Sequence, residues 1–393
     1  MVRRRQRVPR TPSTPVPTVV LAAARVVTPD AVLAPGWVQV QGPTITAVRS
    51  GEPLDEHETQ VEDLGAATIV PGFVDLHNHG GGGAAFTDGP AAARTALAAH
   101  LTHGTTSVMA SLVTDSIDVL EAQVRELVPL VASDDLLGIH LEGPWLSSLH
   151  CGAHAPAFLR DPLPADVDRL LQAGSGAVRM VTLAVERVGA LDAARHLASQ
   201  RVLVALGHSH ATYEQANRAV DVGVTVATHL YNAERPVHHR EPGLVLAMLE
   251  RDEVTVELIA DGVHLHPAII RAAARRKPGR FMLVTDAMAA AGASDGAYAL
   301  GPLAVEVHHQ VARVAGGDAI AGSTLTLDRA IRFATTEVGL SLLEAVQGAT
   351  AIPGQLCGRS DIGRLTAGCR ADIVVLDTNA SVTKVMKGGS WVA

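Results

Sequence analysis

The segment Pro-Gly-Phe-Val-Asp-Leu-His-Asn-His-Gly, residues 71–80, carries two histidines one residue apart at the end of a short apolar run. Alternate side chains of a β-strand lie on the same face, so His77 and His79 are expected to point in the same direction. Two imidazoles in this arrangement could bind one metal ion, although two polar residues at a half-buried strand end would fit the same pattern. Further ligands elsewhere in the chain would favour the metal site.

Seven more apolar runs follow this one, and stretches with helical periodicity lie between them. The eight runs are residues 73–76, 106–109, 137–140, 179–183, 202–206, 224–227, 254–259 and 281–284. Apolar residues recur at three- and four-residue steps in 116–131, 164–173, 188–199 and 267–276, which predicts helices there. Strands and helices that alternate in this way predict a TIM-like (β/α)8 barrel with its chemistry at the carboxyl ends of the strands.

The two ends of the chain have a different pattern. Short β-prone pieces broken by Gly and Pro occupy residues 19–48, and similar pieces recur at 371–377 and 382–386. We therefore expect a small β-sandwich side domain from residues 18–70 and 350–393, beside a catalytic barrel of residues 71–349. Residues 1–17 are rich in Arg and Pro and are predicted to be a disordered tail, with a basic anchor for an acidic partner as the alternative.

The composition of the 393 residues, 47% hydrophobic and 18% charged, is ordinary for a globular enzyme. A net charge of -8 argues against nucleic acid as a partner, because phosphate binding requires a basic face. No apolar run reaches the roughly 18 residues that indicate a membrane span, so no membrane partner is expected. Three widely spaced cysteines indicate no disulfide framework and fit a cytoplasmic protein.

Ligand-type side chains stand at the ends of most predicted strands. They are His77 and His79 after the first, Glu142 at the third, His208 at the fifth, His229 at the sixth, Asp261 and His264 at the seventh, and Asp286 at the eighth. Each has another interpretation, since a carboxylate can cap a helix and a histidine can be hydrogen-bonded in a core. Together they predict one metal site, and nitrogen and oxygen ligands without thiolate suit Zn²⁺, with Fe²⁺, Mn²⁺ or Co²⁺ also compatible.

Nine motifs, in order from about Val19 to the C-terminus, resemble the N-acetylglucosamine-6-phosphate deacetylases of the amidohydrolase superfamily. They are the segment at 71–80, His-Leu-Glu-Gly-Pro at 140–144, Gly-Ala-His at 152–154, Gly-His-Ser at 207–209, Thr-His-Leu-Tyr-Asn-Ala at 228–233, His-His-Arg-Glu-Pro-Gly at 238–243, Ala-Asp-Gly-Val-His at 260–264, Val-Thr-Asp-Ala at 284–287 and Ala-Gly-Ser-Thr-Leu-Thr at 321–326.

The resemblance implies roles for individual residues. Glu142, His208 and His229 match the metal ligands found throughout the family, and His77 and His79 match a pair that lets some members hold a second ion. Asp286 matches the general acid/base. The positions that match substrate contacts are Ala153, His154, Asn232, Ala233, Arg240, His264, Ile320, Ala321 and Gly322. The implied protein is a homodimer that hydrolyses the acetamide of N-acetylglucosamine 6-phosphate, with one or two divalent ions per subunit.

Two departures from the family pattern concern the substrate. Glu234 replaces a common Met and would add a negative charge near the phosphate, and His150-Cys151 replaces what is often a basic pair. Arg240 remains as a planar fork for a phosphate monoester, unless it only forms a surface salt bridge with Glu241 or Glu234. Either His264 or His154 is expected to polarise the acetyl carbonyl or to position the sugar.

Some residues expected for other activities of the superfamily are absent from the chain. A hydantoinase- or dihydroorotase-like cyclic amidase would carry a metal-bridging lysine at the end of the fourth strand, and residues 181–184 contain none. A deaminase, or an amidohydrolase for another N-acyl amino sugar, stays open on metal ligands alone. A non-catalytic assembly subunit should have lost metal ligands or Asp286, and all are present.

Overall fold

Eight parallel strands form a barrel in which chain neighbours are also neighbours in the sheet. The computed structural model describes residues 18–53 and 60–393, so the predicted tail at 1–17 lies outside the described residues. The strands are Phe73–Asn78, Thr105–Val113, Gly138–Glu142, Val178–Leu183, Leu203–Leu206, Val224–Ala227, Thr255–Ile259 and Phe281–Val284. Several are buried at every position, as expected when helices cover a parallel sheet. Each strand coincides with a predicted run, and the barrel is confirmed.

Helices connect successive strands around the barrel. They are Pro90–Thr102, Ile117–Ala132, Pro164–Gly174, Ala190–Ser199, Tyr213–Asp221, Gly243–Glu250 and Pro267–Arg276. The Ser116 hydroxyl accepts a hydrogen bond from the N–H of Val119, which fixes the start of the helix predicted at 116–131. Two short 3₁₀ turns lie at Phe86–Asp88 and Pro156–Phe158. Within the described residues, no helix is both long and apolar enough to cross a membrane.

The barrel closes between its first and last strands, at the position of the predicted metal ligands. The N–H of Asp286 donates to the carbonyl of His77 over 2.9 Å, and the N–H of His79 donates to the carbonyl of Ala287 over 2.7 Å. These two bonds place the His-x-His pair directly beside Asp286. The hydrogen bonds that close the barrel therefore also bring the residues of the site together.

The chain after the eighth strand contains an element that the sequence pattern did not indicate. Strands Gly296–Leu300, Leu303–His308 and Val311–Val314 form a separate antiparallel sheet, whose buried side chains pack against residues after the barrel strands. The chain then returns through Leu327–Phe333, a π-helical turn at Ala334–Val338, and helices Leu342–Gly348 and Ala351–Leu356. A short hairpin, Gly80–Gly81 with Ala84–Ala85, follows the first barrel strand.

The two ends of the chain meet in a β-sandwich. One sheet contains Thr18–Ala23, Gly36–Gln41, Thr44–Ser50 and Gln60–Asp63, and the other contains Arg25–Val27, Val32–Leu33, Thr68–Pro71, Ile373–Leu376, Val382–Lys387 and Ser390–Trp391. Ile373–Leu376 pairs with Thr68–Pro71, and both sheets bury apolar residues in one shared core. The predicted side domain is confirmed. Its boundaries at residues 70 and 350 stay a prediction. Helix Ala351–Leu356, which that prediction places in the side domain, packs against the barrel core.

Candidate metal centre and substrate pocket

Glu142, His208 and His229 bring three potential ligand atoms together at the mouth of the barrel. Glu142 ends the third strand, and the histidines follow the fifth and sixth. Glu142 Oε1 lies 3.2 Å from Nε2 of His208 and 3.1 Å from Nε2 of His229, and the two nitrogens are 3.0 Å apart. All three side chains are buried. The three residues predicted as ligands of the first ion therefore share one small volume.

His77, His79 and Asp286 form a second group beside the first. The Nε2 atoms of the two histidines are 3.2 Å apart. Asp286 Oδ1 lies 3.4 Å from Nε2 of His77 and 3.1 Å from Nε2 of His79. Glu142 lies between the two groups, because its Oε2 is also 3.2 Å from Nε2 of His79. The two groups consequently share the carboxylate of Glu142.

Three of these residues adopt left-handed backbone conformations, which are uncommon outside glycine. The φ angles are 46° at His208, 28° at His229 and 48° at Asp286. Each residue stands just past a barrel strand, where the chain turns sharply and directs the side chain across the barrel mouth. Backbone strain of this kind concentrates at functional sites, because surrounding structure must hold it in place.

The donor set fits a divalent cation. Around an ion with tetrahedral bonds of about 2.1 Å, neighbouring ligand atoms are about 3.4 Å apart. Within the two groups, the separations run from 3.0 Å to 3.4 Å. Nitrogen and carboxylate oxygen atoms that converge in a buried space are typical of a metal site. Both groups meet this criterion.

The charged groups of the site shift one another's pKa values. Burial lowers the pKa of His77, but Glu142, Glu257 and Asp286 outweigh it and raise that pKa well above its ordinary value. Burial raises the pKa of Glu142, yet the surrounding histidines, His77 first, bring it well below its ordinary value. The pKa of Asp286 is likewise lowered, since His77 and His79 outweigh burial. The carboxylates thus stay ionised, and a bound cation would take the place of protons on the imidazoles.

In three of the four histidines, the ring nitrogen that faces away from the centre has a partner that fixes the orientation of the imidazole, whereas Nδ1 of His229 is buried without one. Nδ1 of His77 donates to Glu257 over 2.9 Å, Nδ1 of His79 to the carbonyl of Ser111 over 3.1 Å, and Nδ1 of His208 to the carbonyl of His150 over 2.9 Å. Such contacts keep a proton on Nδ1, so that Nε2 is the nitrogen that binds a metal once it has lost its own proton. Each of these three histidines is thereby aimed at the centre.

A pocket of about 360 Å³ opens directly above both groups, within the size range of small-molecule sites. Its walls include seven of the predicted substrate residues: Ala153, His154, Asn232, Ala233, His264, Ile320 and Gly322. Leu300, from the antiparallel sheet at 296–314, and Asp318, from the segment after it, also line the pocket. The sequence did not indicate these two residues, because nothing in the local pattern marked the insertion as part of the barrel mouth.

Two histidines of the pocket differ in charge. His154 has a pKa of about 4, because it is buried and lies near His208. It is therefore neutral at pH 7, and its Nδ1 bonds to Thr114 over 2.9 Å. His264 is buried, but the carboxylate of Asp261 at 2.7 Å from Nδ1 more than offsets this and raises its pKa. Of the two candidates for carbonyl polarisation, His264 is the one that favours the cationic form.

Two predicted substrate residues do not line the pocket. Ala321 is fully buried, since its side chain packs into the apolar cluster formed with the antiparallel sheet at 296–314. Arg240 stands on an exposed loop, where its Nη1 lies 2.7 Å from Nε2 of His239. Glu241 pairs with Arg235 instead, so the alternative of an Arg240–Glu241 salt bridge is not observed. Within this single chain, Arg240 is outside the pocket and directed towards solvent.

Burial works against the negative charge that the sequence position of Glu234 suggested. Its side chain is buried, its carboxyl accepts the N–H of Tyr231, and burial raises its pKa well above the ordinary value. Burial therefore favours the neutral acid over the carboxylate. His150-Cys151 is the second departure from the family pattern. The carbonyl of His150 accepts a hydrogen bond from Nδ1 of His208, and the free thiol of Cys151 is half-buried.

The structure is similar to known deacetylases over almost its full length. Residues 68–392 match the Amidohydrolase family. The N-acetylgalactosamine-6-phosphate deacetylase of Escherichia coli O157:H7 is 35% identical over 94% of this chain and 97% of its own. The N-acetylglucosamine-6-phosphate deacetylase of Danio rerio is 36% identical over 88% of this chain and 91% of its own.

A solved structure gives the same result. A variant of N-acetylglucosamine-6-phosphate deacetylase from Mycobacterium smegmatis, in complex with N-acetylglucosamine 6-phosphate, is 47% identical with a TM-score of 0.92. The match covers 95% of this chain and 99% of that one. The chain therefore belongs to the amidohydrolase family, and its resemblance to the N-acetylglucosamine-6-phosphate deacetylases is confirmed.

Proposed function

We propose that this protein hydrolyses the acetamide of N-acetylglucosamine 6-phosphate to glucosamine 6-phosphate and acetate. The observation that carries the proposal is the pair of His/carboxylate groups beneath a pocket of about 360 Å³, in a chain similar to an enzyme solved with this sugar phosphate bound. A cyclic amidase, a deaminase or a non-catalytic subunit is not supported, because the relatives cited above are deacetylases and both groups are intact.

The groups provide the ligands that a metal-dependent hydrolase of this family requires. Glu142, His208 and His229 would hold one ion, and His77 and His79 with Asp286 would hold a second. Zn²⁺ is the ion we propose, since imidazole and carboxylate ligands in near-tetrahedral spacing suit it. A divalent cation bound there would lower the pKa of water to about 7 and would polarise the acetyl carbonyl.

The residues of the chain provide the proton transfers. The Asp286 carboxylate, ionised and at the floor of the pocket, accepts a proton as water oxygen adds to the carbonyl carbon. It returns that proton to the sugar nitrogen as the C–N bond breaks, so the amine leaves neutral. The cationic form of His264 would hydrogen-bond the carbonyl oxygen or the phosphate, and neutral His154 would position the sugar.

We assign the phosphate to Arg240, Asn232 and Ala233. Asn232 and Ala233 already line the pocket, and their turn is held by hydrogen bonds from the Asn232 amide to the carbonyls of His229 and Leu230. Arg240 is exposed on its loop, which fits a pocket that a second copy of the chain helps to close. We therefore propose a homodimer. A charged sugar phosphate and three free cysteines fit a cytoplasmic location.

A second candidate substrate is the C4 epimer, N-acetylgalactosamine 6-phosphate, because a relative covering 94% of the chain is named for it. The test measures amine release from both sugar phosphates and from unphosphorylated N-acetylglucosamine, with metal quantified in the same preparation. A higher rate of amine release from N-acetylglucosamine 6-phosphate than from the other two compounds supports the proposal. Metal-loaded protein without activity on any of them would refute it, and a preference for the galactosamine ester would reassign the sugar.

A further inference from the structure

Glu257 is a fully buried carboxylate that the reaction above does not use. It lies in the seventh barrel strand, Thr255–Ile259, whose other side chains are Thr, Val, Leu and Ile. Its Oε2 accepts the Nδ1–H of His77 over 2.9 Å and the backbone N–H of His229 over 2.9 Å. One oxygen atom thus contacts both groups of proposed metal ligands.

The bond to His77 decides which nitrogen of that ring can bind a cation. An imidazole that binds through Nε2 carries its proton on Nδ1, and a carboxylate that accepts this proton fixes the tautomer and makes Nε2 more basic. His79 and His208 donate instead to backbone carbonyls. Of these three rings, His77 alone has a charged partner, so its geometry depends most on a single side chain.

The bond to His229 acts on the backbone. His229 has a φ of 28°, outside the common conformations, and its N–H points into the barrel interior. The carboxylate gives this buried donor an acceptor and holds the turn that directs the His229 ring towards Glu142. Glu257 itself cannot join the ligands, because His77 lies between its Oε2 and the centre, with Nδ1 towards Glu257 and Nε2 towards Asp286.

We propose that Glu257 is a positioning residue that determines occupancy of the His77–His79–Asp286 group. It holds His77 in the Nδ1–H form with Nε2 directed at His79 and Asp286, and it supports the neighbouring group more weakly through the His229 backbone. The inference rests on the proposed function only in taking the two groups as metal sites.

The test is a titration of metal-free protein with Zn²⁺, followed by calorimetry and by metal analysis after gel filtration. Wild-type protein should bind two ions per chain. Glu257→Leu should weaken the second binding step by about 10- to 100-fold, with a smaller effect on the first. Glu257→Gln keeps an oxygen that can accept the Nδ1–H, and should recover part of the loss.

Two further comparisons separate positioning from general damage to the fold. Asp328→Asn is a matched control, since Asp328 is also a buried carboxylate paired with a histidine, His103, at 3.3 Å. It should leave both binding steps unchanged. Combining Glu257→Leu with His77→Gln should add little to the loss caused by His77→Gln alone, because both act through one ligand.

The tautomer provides a readout that does not depend on affinity. In protein with ¹⁵N-labelled histidine, at an alkaline pH where the rings are neutral, one ring should change from the Nδ1–H form towards the Nε2–H form in Glu257→Leu, and less so in Glu257→Gln. Second-site affinity and tautomer equal to wild type in Glu257→Leu, or a wild-type chain that binds one ion only, would overturn the proposal. Neither measurement involves substrate, so loss of deacetylase activity is judged separately.

Discussion

Replacing Asp286 by Asn tests the proposed proton transfer with almost no change in shape. Asp286 Oδ1 lies within 3.1 Å of Nε2 of His79 and 3.4 Å of Nε2 of His77, and its carboxyl faces the pocket. Its lowered pKa keeps it ionised at neutral pH, so it can accept a proton from water. The Asn amide has the same size and no comparable basicity.

The expected loss follows from the role. A positioned general base contributes about 10²- to 10⁴-fold, so kcat should fall by that factor. At about 1.4 kcal/mol per tenfold change, the transition state loses about 3–5 kcal/mol. KM should change little, since the groups assigned to the sugar phosphate remain. Glu142, His208 and His229 should keep their ion, while the group that contains Asp286 should bind its ion more weakly.

The assay is steady-state amine release from N-acetylglucosamine 6-phosphate at saturating Zn²⁺, with metal content and substrate affinity measured on the same sample. Asp318→Asn removes another carboxylate from the pocket wall without touching the histidines, and controls for loss of charge alone. A kcat near wild type in metal-loaded Asp286→Asn would refute the assignment. If kcat fell equally in Asp286→Asn and Asp318→Asn, the loss would come from the electrostatic field of the pocket and not from proton transfer by Asp286.

Three other substitutions test separate parts of the account. Arg240→Ala should raise KM for the phosphorylated substrate far more than for unphosphorylated N-acetylglucosamine in steady-state assays, and equal effects would contradict the phosphate assignment. Glu234→Gln should leave KM for the phosphorylated substrate unchanged, because burial already favours the neutral acid, and a marked fall in KM would show that Glu234 is charged. Lys277 is buried with Nζ bonded to the carbonyl of Arg251, and burial lowers its pKa from 10.5 to about 8. Because the unfolded chain keeps this proton to higher pH than the folded chain, Lys277 contributes stability that grows as pH rises from about 8 to about 10. The free energy of unfolding of wild type relative to Lys277→Met should therefore increase over that range in urea titrations, and a constant difference would contradict the shifted pKa.

Sequence periodicity was sufficient for the barrel because its strands are apolar along their whole length. It also located His208, His229 and Asp286, since each is a polar residue at the end of such a run. The sheet at 296–314 was missed because its short strands, which alternate buried and exposed residues, lack the continuous apolar runs that mark the barrel strands. Leu300 and Asp318 were missed with it, as their place in the pocket depends on how that sheet folds back.

Glu257 was missed for a different reason, although a signal was present. A single carboxylate within the apolar segment 254–259 is costly to bury unless it has hydrogen-bond partners. This energetic cost could have identified Glu257 as a candidate functional residue from the sequence alone. Its partners, the side chain of His77 and the backbone of His229, are 180 and 28 residues away along the chain. Only the closed barrel brings them together, so the role of Glu257 could not be assigned without the structure.

The same closure explains why the second group of ligands depends on the integrity of the whole barrel. His77 and His79 come from the first strand and Asp286 from the end of the last, and the seam between them lies under the pocket. Beneath that seam, Asp75 accepts hydrogen bonds from the side chains of Asn78 and Thr285 at 2.9 Å and 2.6 Å, and all three are fully buried. Since a buried polar network is stable only when its members are paired, these bonds favour a single alignment of the two strands. The alignment that satisfies the network is also the one that places Asp286 against the two histidines.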